Sequence, residues 1–394
     1  MASVTFFNIP VHGHTNPTLE VVRCLSRRGH QIRYFSFAPF REAIEKAGAS
    51  FIPCDSFLPP PPRDLGRRAG QDFPSMFAMV THVTLAMDEV MGATVFRQPA
   101  DCVVYDSQCV WGRLFAQKLG RPAVCSTTTF AFNTDTARLM KPAGRELRYL
   151  IRGMPGMLWN LHRLRRRGYD IADLGALLGN DNHTPTLVYT SRLFQPQGEE
   201  FGVNYSFVGP SLPPLPPRQA GARPLIYISL GTVLRERVTF YRACIEGLKN
   251  IGCEVILSVG DEETCSALGS LPQQISAFAR VDQLQVLSRA DVFVTHCGMN
   301  SVSESIASGV PMVLFPQQSE QRVVAQRAAQ LGAGLPLSGT KPGAIRTAVE
   351  EVLSHRDAYR TALAPITYSF QAAGGAARAA RVIEAACGIQ QAEG

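Results

Sequence analysis

A proline-rich segment divides the chain into two nearly equal halves. It reads GPSLPPLPPRQAGARP and runs from Gly209 to Pro224. Proline lacks a backbone N–H and fixes φ, so this density excludes helix interiors and sheet ladders and predicts an extended linker. The chain has 394 residues, which is too long for one ordinary domain. Two domains are therefore predicted, residues 1–208 and 225–372, followed by a C-terminal segment, residues 373–394.

Both halves alternate short β-branched apolar runs with helical patterns, which is typical of parallel βαβ units. In the first half, strands are predicted at Val4–Ile9, Ile32–Phe37, Cys102–Tyr105 and Ala123–Ser126, and a helix at Asn16–Arg28. In the second half, strands are predicted at Leu225–Ser229, Glu254–Val259, Val292–Thr295 and Met312–Phe315, with helices near Asn300–Ser308 and Glu320–Leu331. We expect an α/β protein whose two doubly wound parallel-sheet domains face one another across a cleft. Ligands of such sheets bind beyond the carboxyl ends of the strands.

Composition, charge and hydropathy exclude several classes of protein. The chain is 45% hydrophobic and 18% charged, which excludes a disordered chain. Its net charge of +7 suits anionic ligands but is too diffuse to indicate nucleic acid. The N-terminus lacks the basic flank and long apolar core of a signal peptide, and no apolar run approaches the roughly 18 residues of a membrane span. The ten cysteines form no CxxC pair and predict reduced thiols. A cytoplasmic protein is expected.

The loop after the first predicted strand reads IPVHGHTNP and contains two histidines. A histidine at this edge of the sheet titrates near neutral pH and suits a general base. We expect His14 to project from a tight turn; spacing alone does not separate it from His12, and either can be a surface or capping histidine. Asp106, directly after a second strand at the same edge, can orient such a base. Its alternative role is to cap a helix that begins near Ser107.

Two loops of the second half predict an anion site. In THCGMNSVSES a strand runs into Gly298 and a helix begins near Asn300, so bare backbone amides and the positive end of the helix dipole meet there. The SLGT loop follows another strand and brings Gly231 and Thr232 to the same edge. Each loop alone can be an ordinary strand-to-helix turn. Together they indicate a diphosphate.

Several common motifs are absent from the sequence. It contains no GxxxxGK[ST], no GxSxG, no GxGxxG after the first strand and no DxD pair, and its histidine and cysteine spacing offers no zinc cage. These absences argue against P-loop, serine-hydrolase and dinucleotide chemistry. No metal and no cofactor are expected.

Five segments in order resemble the UDP-glycosyltransferase superfamily, and most of all its bacterial macrolide-type members. They are HGHTNP, LSRRGH, VVYD, SLGT and RVDQLQVLSRADVFVTHCGMNSVSESIASGVP. The resemblance covers nearly the whole chain and implies the GT-B fold. It also implies an inverting, metal-independent transfer of a hexose from a UDP-sugar, such as UDP-glucose, to a hydroxyl group of a hydrophobic small molecule. A macrolide, a flavonoid or another polyketide is the acceptor class expected.

The resemblance implies roles for individual residues. It favours His14 over His12 as the base, with Asp106 as its partner. It makes Glu304 the acceptor for the ribose hydroxyls, and it places Glu320 and Gln321 on the donor sugar. The full set of implied donor contacts is Ser229, Gly231, Thr232, Val281, Gln283, His296, Gly298, Asn300, Ser301, Glu304, Ser319, Glu320 and Gln321.

Two departures from the family pattern leave specificity open. The segment Arg280–Gln283 reads RVDQ, where the family carries an aromatic residue, a variable residue and Pro-Gln, so the choice between uracil and thymine is open. Glu320 stands where aspartate is commoner, which leaves the sugar open. A nucleotide-sugar-binding protein without turnover, or an epimerase or hydrolase on the same fold, would be the alternative functions.

Three further features bear on partners and on domain organisation. Apolar residues of the first half (Phe57, Phe73, Phe77, Met87, Trp111, Phe130 and Phe132) predict a hydrophobic acceptor unless most of them belong to the core. The segment Arg138–Gly168 holds nine basic residues and one acid. A membrane-surface role is one interpretation; a solvated helical insertion over a substrate pocket is favoured. Ala373–Ala386 predicts a helix that crosses back to the first domain, so that it and the linker form a hinge.

Overall fold

The computed structural model describes residues 1–55, 73–132, 144–171, 183–219, 221–231 and 238–389. The chain forms two compact units. The first comprises Met1–Thr190, Gln197–Ser211 and Ala373–Gly394, and the second comprises Ser191–Pro196 and Leu212–Ala372. The short segment Ser191–Pro196 therefore belongs to the second unit, although it precedes the proline-rich segment in the chain.

The first unit contains a seven-stranded parallel sheet. Its strands are β1 (Ser3–Phe7), β2 (Gln31–Ser36), β3 (Ser50–Pro53), β4 (Cys102–Asp106), β5 (Ala123–Thr127), β6 (Thr186–Val188) and β7 (Tyr205–Phe207). They lie in the order β3-β2-β1-β4-β5-β6-β7. The described residues of this half of the chain form the α-helices α1 (His12–Arg27), α2 (Arg41–Lys46), α3 (Phe73–Arg97), α4 (Val110–Leu119) and α5 (Gly144–Arg166).

Neighbouring aromatic residues of β1 build cores on opposite faces of this sheet. Phe6 pairs in register with Tyr34 and stacks on it with ring centroids 5.5 Å apart, while Phe7 stacks on Phe35 at 4.7 Å. Side chains alternate between the faces of a strand, so both faces of β1 are apolar and both are covered. Full burial of one such ring stabilises the fold by about 1.5–3 kcal/mol.

The second unit contains a six-stranded parallel sheet. Its strands are β8 (Leu225–Ser229), β9 (Glu254–Ser258), β10 (Ile275–Phe278), β11 (Val292–Thr295), β12 (Met312–Leu314) and β13 (Gly334–Pro336), in the order β10-β9-β8-β11-β12-β13. Its helices are α6 (Val238–Leu248), α7 (Glu262–Ala267), α8 (Gln283–Leu287), α9 (Met299–Ala307), α10 (Ser319–Gln330), α11 (Pro342–Ser354) and α12 (Arg356–Ala372).

The strand order reverses at one point in each sheet. The reversal lies between β1 and β4 in the first unit and between β8 and β11 in the second. Connections leave such a point toward opposite faces and open a crevice beyond the carboxyl ends of the two strands. The loops after β1 and β4, and after β8 and β11, are therefore where each unit can hold a ligand.

The start of α1 differs from the prediction. The sequence favours a start near Pro17, because proline suits the first turn of a helix. The structure begins α1 at His12, so His14 lies inside its first turn and Pro17 lies in the second. Side chains add hydrogen bonds to this region: Asn8 Nδ2 donates to the carbonyl oxygen of His14, and Thr18 Oγ1 donates to that of Thr15, both at 2.8 Å.

The C-terminal helix, α13 (Gly375–Ala386), begins two residues later than predicted. Gly374 and Gly375 both have positive φ, 89° and 54°, which ends α12 and redirects the chain. Ala379, Ala380 and Ile383 of α13 are buried in the core of the first unit. The described part of the proline-rich segment before Leu225 contains neither helix nor strand. None of the helices in the described ranges is both long and apolar enough to cross a membrane.

Candidate active and donor-binding sites

The switch point of the first sheet brings His14 and Asp106 together. Asp106 is the last residue of β4, and its Oδ2 lies 2.7 Å from His14 Nδ1. The Asp106 side chain is fully buried, whereas the His14 side chain is 15% exposed. Asp106 Oδ1 accepts a hydrogen bond from the backbone N–H of Gln108 at 2.8 Å. Asp106 therefore orients the histidine with one oxygen and holds the turn before α4 with the other, but it does not cap the helix, which begins at Val110 after the N-cap residue Cys109.

The other histidine of the loop takes a different position. The ring of His12 packs against that of Phe40, with centroids 5.0 Å apart. It is His14 that contacts the buried carboxylate. The sequence spacing alone could not make this choice, because the two side chains differ only in their place around the first turn of α1.

Thr128 is a member of the site that the sequence analysis missed. It follows β5, the strand beside β4, and its Oγ1 lies 3.1 Å from His14 Nδ1. The signal was a polar residue just past the carboxyl end of a predicted strand, in the run CSTTTF. Thr128 and Asp106 therefore both contact Nδ1 of His14, and together they restrict the orientation of the imidazole.

This arrangement fixes what the histidine can do. Because the Asp106 carboxylate accepts the Nδ1–H hydrogen bond, the lone pair of the neutral ring resides on Nε2. A proton taken up at Nε2 creates an imidazolium that the buried carboxylate stabilises. The geometry is that of a general base with an orienting partner.

In the second unit, His296 follows β11 and occupies space that two glycines leave open. A Cβ atom added to Gly231 would lie 2.7 Å from the imidazole Cε1 and Nε2, and one added to Gly298 would lie 2.6 Å from Nε2. Gly231 also has a φ of +75°, which favours glycine. The glycines of SLGT and HCG therefore leave the space that the His296 ring occupies.

Burial keeps the His296 imidazole neutral. It lowers the pKa of His296 to about 4, and the backbone carbonyl of Ser229 opposes this shift. Nδ1 is a buried nitrogen for which the described residues supply no hydrogen-bond partner. Ser229 ends β8 and is buried, and its Oγ accepts from the N–H of Gly231 at 3.3 Å. Thr232, the predicted fourth residue of this loop, lies outside the described residues.

The turn that leads into α9 is strained. Cys297 is not glycine, yet its φ is +65°, and its N–H donates to Thr295 Oγ1 at 3.1 Å. Left-handed backbone of this kind costs about 1–3 kcal/mol and clusters at functional sites. Gly298 is the N-cap residue, so Asn300 and Ser301 lie in the first turn of α9, as predicted. The N–H groups of that turn and the helix dipole are of the kind that can bind an anion.

A hydrogen-bond chain connects β8 to α9 through Gln283, the first residue of α8. Tyr227 OH donates to Gln283 Oε1 at 3.1 Å, and Gln283 Nε2 donates to Glu304 Oε2 at 2.6 Å and to Ser301 Oγ at 3.3 Å. Burial raises the pKa of Glu304 to about 7; the bond from Gln283 lowers it, and the charge of Asp282 raises it further. Val281, just before this group, is half-buried.

The residues assigned to the donor sugar lie at the start of α10. Ser319 is exposed and Glu320 is half-buried, whereas Gln321 is buried. Gln321 Oε1 accepts from the N–H groups of Gln317 at 2.9 Å and Gln318 at 3.2 Å, which caps the helix. Capping therefore occupies the oxygen of Gln321, and its amide Nε2 is the group that can donate to a ligand.

The acceptor residues suggested by the sequence are mostly core. Phe77, Met87, Trp111 and Phe130 are buried, and Phe132 is exposed. Phe57 and the side chain of Phe73 lie outside the described residues. The apolar composition of the first half is therefore explained by packing and does not define an acceptor site. Among the residues that the structure describes, no group of three or more His, Cys, Asp or Glu is placed to hold a metal ion.

The chain is similar to glycosyltransferases along its whole length. Residues 242–372 match the family model described as Erythromycin biosynthesis protein CIII-like, C-terminal domain. NDP-glycosyltransferase YjiC of Bacillus licheniformis is 31% identical over 97% of this chain and 97% of that protein. The uncharacterized UDP-glucosyltransferase YdhE of Bacillus subtilis is 30% identical over 94% and 95%. The crystal structure of the glycotransferase of kitacinnamycin shares 27% identity, with a TM-score of 0.81 and 98% of both chains covered.

Proposed function

Because the chain belongs to the UDP-glycosyltransferase superfamily and has its GT-B fold, we propose that it transfers a hexose from a UDP-sugar to a hydroxyl group of a hydrophobic small molecule. UDP-glucose is the donor proposed, and a macrolide, a flavonoid or another polyketide is the acceptor class. The UDP-glucosyltransferase name of one relative supports the donor, and the natural-product names of the matching family model and of the kitacinnamycin enzyme support the acceptor class.

We propose His14 as the general base of this reaction. Its Nε2 takes the proton of the acceptor hydroxyl while the oxygen attacks the anomeric carbon, and Asp106 stabilises the imidazolium. The bond between the anomeric carbon and the diphosphate breaks on the opposite face, so UDP leaves and the configuration inverts. The observation that carries this proposal is the 2.7 Å contact between His14 Nδ1 and the fully buried Asp106 carboxylate.

We propose that the leaving diphosphate lies at the start of α9. The N–H groups near Asn300 and Ser301, together with His296, would meet the negative charge that develops as UDP departs. A preorganised helix terminus supplies this stabilisation without a divalent cation, so the transfer is proposed to be metal-independent. Glu304, on the next turn of α9, would accept hydrogen bonds from the ribose hydroxyls.

The test separates catalysis from donor binding. His14→Ala should lower turnover by roughly 10²–10⁴, the share that general base catalysis supplies, and should leave the Kd for UDP, measured by calorimetry, nearly unchanged. His12→Ala is the matched control, because it removes a histidine of the same turn that packs on Phe40. Loss of activity in His12→Ala with full activity in His14→Ala would contradict the assignment.

A further inference from the structure

Helix α5 carries a second apolar face that the core does not use. Met157, Leu161 and Leu164 are buried in the core of the first unit. A separate row faces solvent: Ile151 is 65% exposed, Met154 40%, Leu158 53% and Trp159 64%. Ile151, Met154 and Leu158 recur at steps of three and four and lie along one side of the helix, and Trp159 widens this surface around the helix next to Leu158. We call them the apolar stripe of α5.

Exposed arginines lie on α5 and directly after it. Between residues 148 and 171 the chain carries six arginines (Arg148, Arg152, Arg163, Arg165, Arg166 and Arg167) and one acidic residue, Asp170. All six arginines are exposed. Exposed large apolar side chains bordered by cations are the pattern of helices that lie in the interface of a membrane, where tryptophan sits at the headgroup level and arginine contacts phosphate.

We propose that the apolar stripe of α5 and its arginines bind the surface of an anionic phospholipid bilayer. The positive charge of this surface favours an anionic bilayer over a second copy of the chain. A second copy would bring the same arginines against one another, and each chain carries a net charge of +7. The apolar side chains of the stripe enter the boundary between headgroups and acyl chains, and the helix lies along the membrane surface without crossing the membrane. This proposal is independent of the proposed function.

Tryptophan fluorescence of the full chain reports directly on the stripe. The chain has two tryptophans, of which Trp111 is buried and Trp159 is exposed. Vesicles of equal parts phosphatidylglycerol and phosphatidylcholine should shift the emission to the blue, and vesicles of phosphatidylcholine alone should not. Trp159→Phe should remove the shift, because only the buried Trp111 remains. Salt should weaken binding, since the attraction is electrostatic.

Sedimentation with the same vesicles tests the two parts of the surface. Arg163→Glu with Arg166→Glu should lower the partition coefficient onto the vesicles by at least about fivefold for each arginine removed, and Ile151→Ser with Leu158→Ser should also lower it. Arg381→Glu and Val203→Ser are matched controls, because both residues are exposed in the first unit outside α5. Circular dichroism spectra should match the wild type, since every changed residue is exposed.

Three results would overturn the proposal. They are equal binding to both kinds of vesicle, unchanged binding in both double variants, and a concentration-dependent dimer in sedimentation velocity that the same substitutions dissociate. The last result would identify the stripe as an interface between copies of this chain.

Discussion

Replacing Glu304 with glutamine should make the protein more stable at alkaline pH while weakening its binding of UDP. Burial raises the pKa of Glu304 from 4.5 to about 7. A shift of one pKa unit corresponds to about 1.4 kcal/mol, so ionised Glu304 costs the folded state on the order of 3 kcal/mol. The folded-state pKa is raised, so the stabilising effect of the proton is fully present below about pH 4.5 and is lost as the pH rises through about 7.

Urea unfolding at about pH 5 and about pH 8.5 checks this reasoning. Glu304→Gln should raise the free energy of unfolding by roughly 1 kcal/mol at the lower pH, where the unfolded carboxyl is already largely ionised, and by roughly 3 kcal/mol at the higher pH. Glu246→Gln, at an exposed position of α6, is the matched control and should stay within about 0.5 kcal/mol at both. An equal effect of Glu304→Gln at both pH values, or none, would refute the reasoning. Calorimetry should show UDP affinity that rises with pH through about 7 in the wild type and rises less in Glu304→Gln.

Three further predictions concern the donor site, the metal and the C-terminal helix. Gly298→Ala should weaken UDP binding by about tenfold, because the new Cβ would lie 2.6 Å from His296 Nε2. Gly343→Ala is the control and should leave UDP binding unchanged, because a Cβ there meets nothing within 4 Å. Equal UDP affinities in the two variants would count against the site. Turnover in EDTA should equal turnover in magnesium, and a rate that EDTA abolishes and magnesium restores would show that a metal takes part. Deleting residues 373–394 should lower the melting temperature, because it removes Ile383 from the core and removes Glu384, the partner of Arg28 and His30. Deleting residues 389–394 should have little effect. An unchanged melting temperature in the longer deletion would contradict the packing of α13.

Strands buried on both faces were the most predictable elements of the fold. The limits of β8 and β11 agree with the prediction to the residue, because their buried apolar runs, LIYIS and VFVT, end at the hydroxyl residues Ser229 and Thr295. The strands β3, β6, β7, β10 and β13 were missed. Four of them (SFIP, YSF, ISAF and GLP) contain serine, glycine or proline, which the equally short runs of β11 and β12 (VFVT and MVL) do not. The predicted start of α1 was wrong. Pro17 favours a position in the first turn of a helix, but the hydrogen bonds around His12–Thr15 begin the helix earlier.

The site residues that directly follow predicted strands could be predicted from the sequence. The approach of Asp106 to His14 follows from their places at the carboxyl ends of adjacent strands. Thr128 and Tyr227 were missed, because their roles depend on which strands are neighbours and on side-chain direction rather than on spacing in the chain. The capping role of Gln321 likewise depends on backbone geometry before α10, which no motif specifies.

Product analysis tests the central proposal most directly. The protein would be incubated with UDP-glucose and a panel of hydroxylated hydrophobic acceptors, and the products read by mass spectrometry and by NMR of the anomeric centre. We predict that one or more acceptors gain the mass of a single hexose with inverted configuration, and that His14→Ala forms almost none of this product. Release of UDP together with free glucose, without any acceptor-linked product, would contradict the account and identify a hydrolase instead.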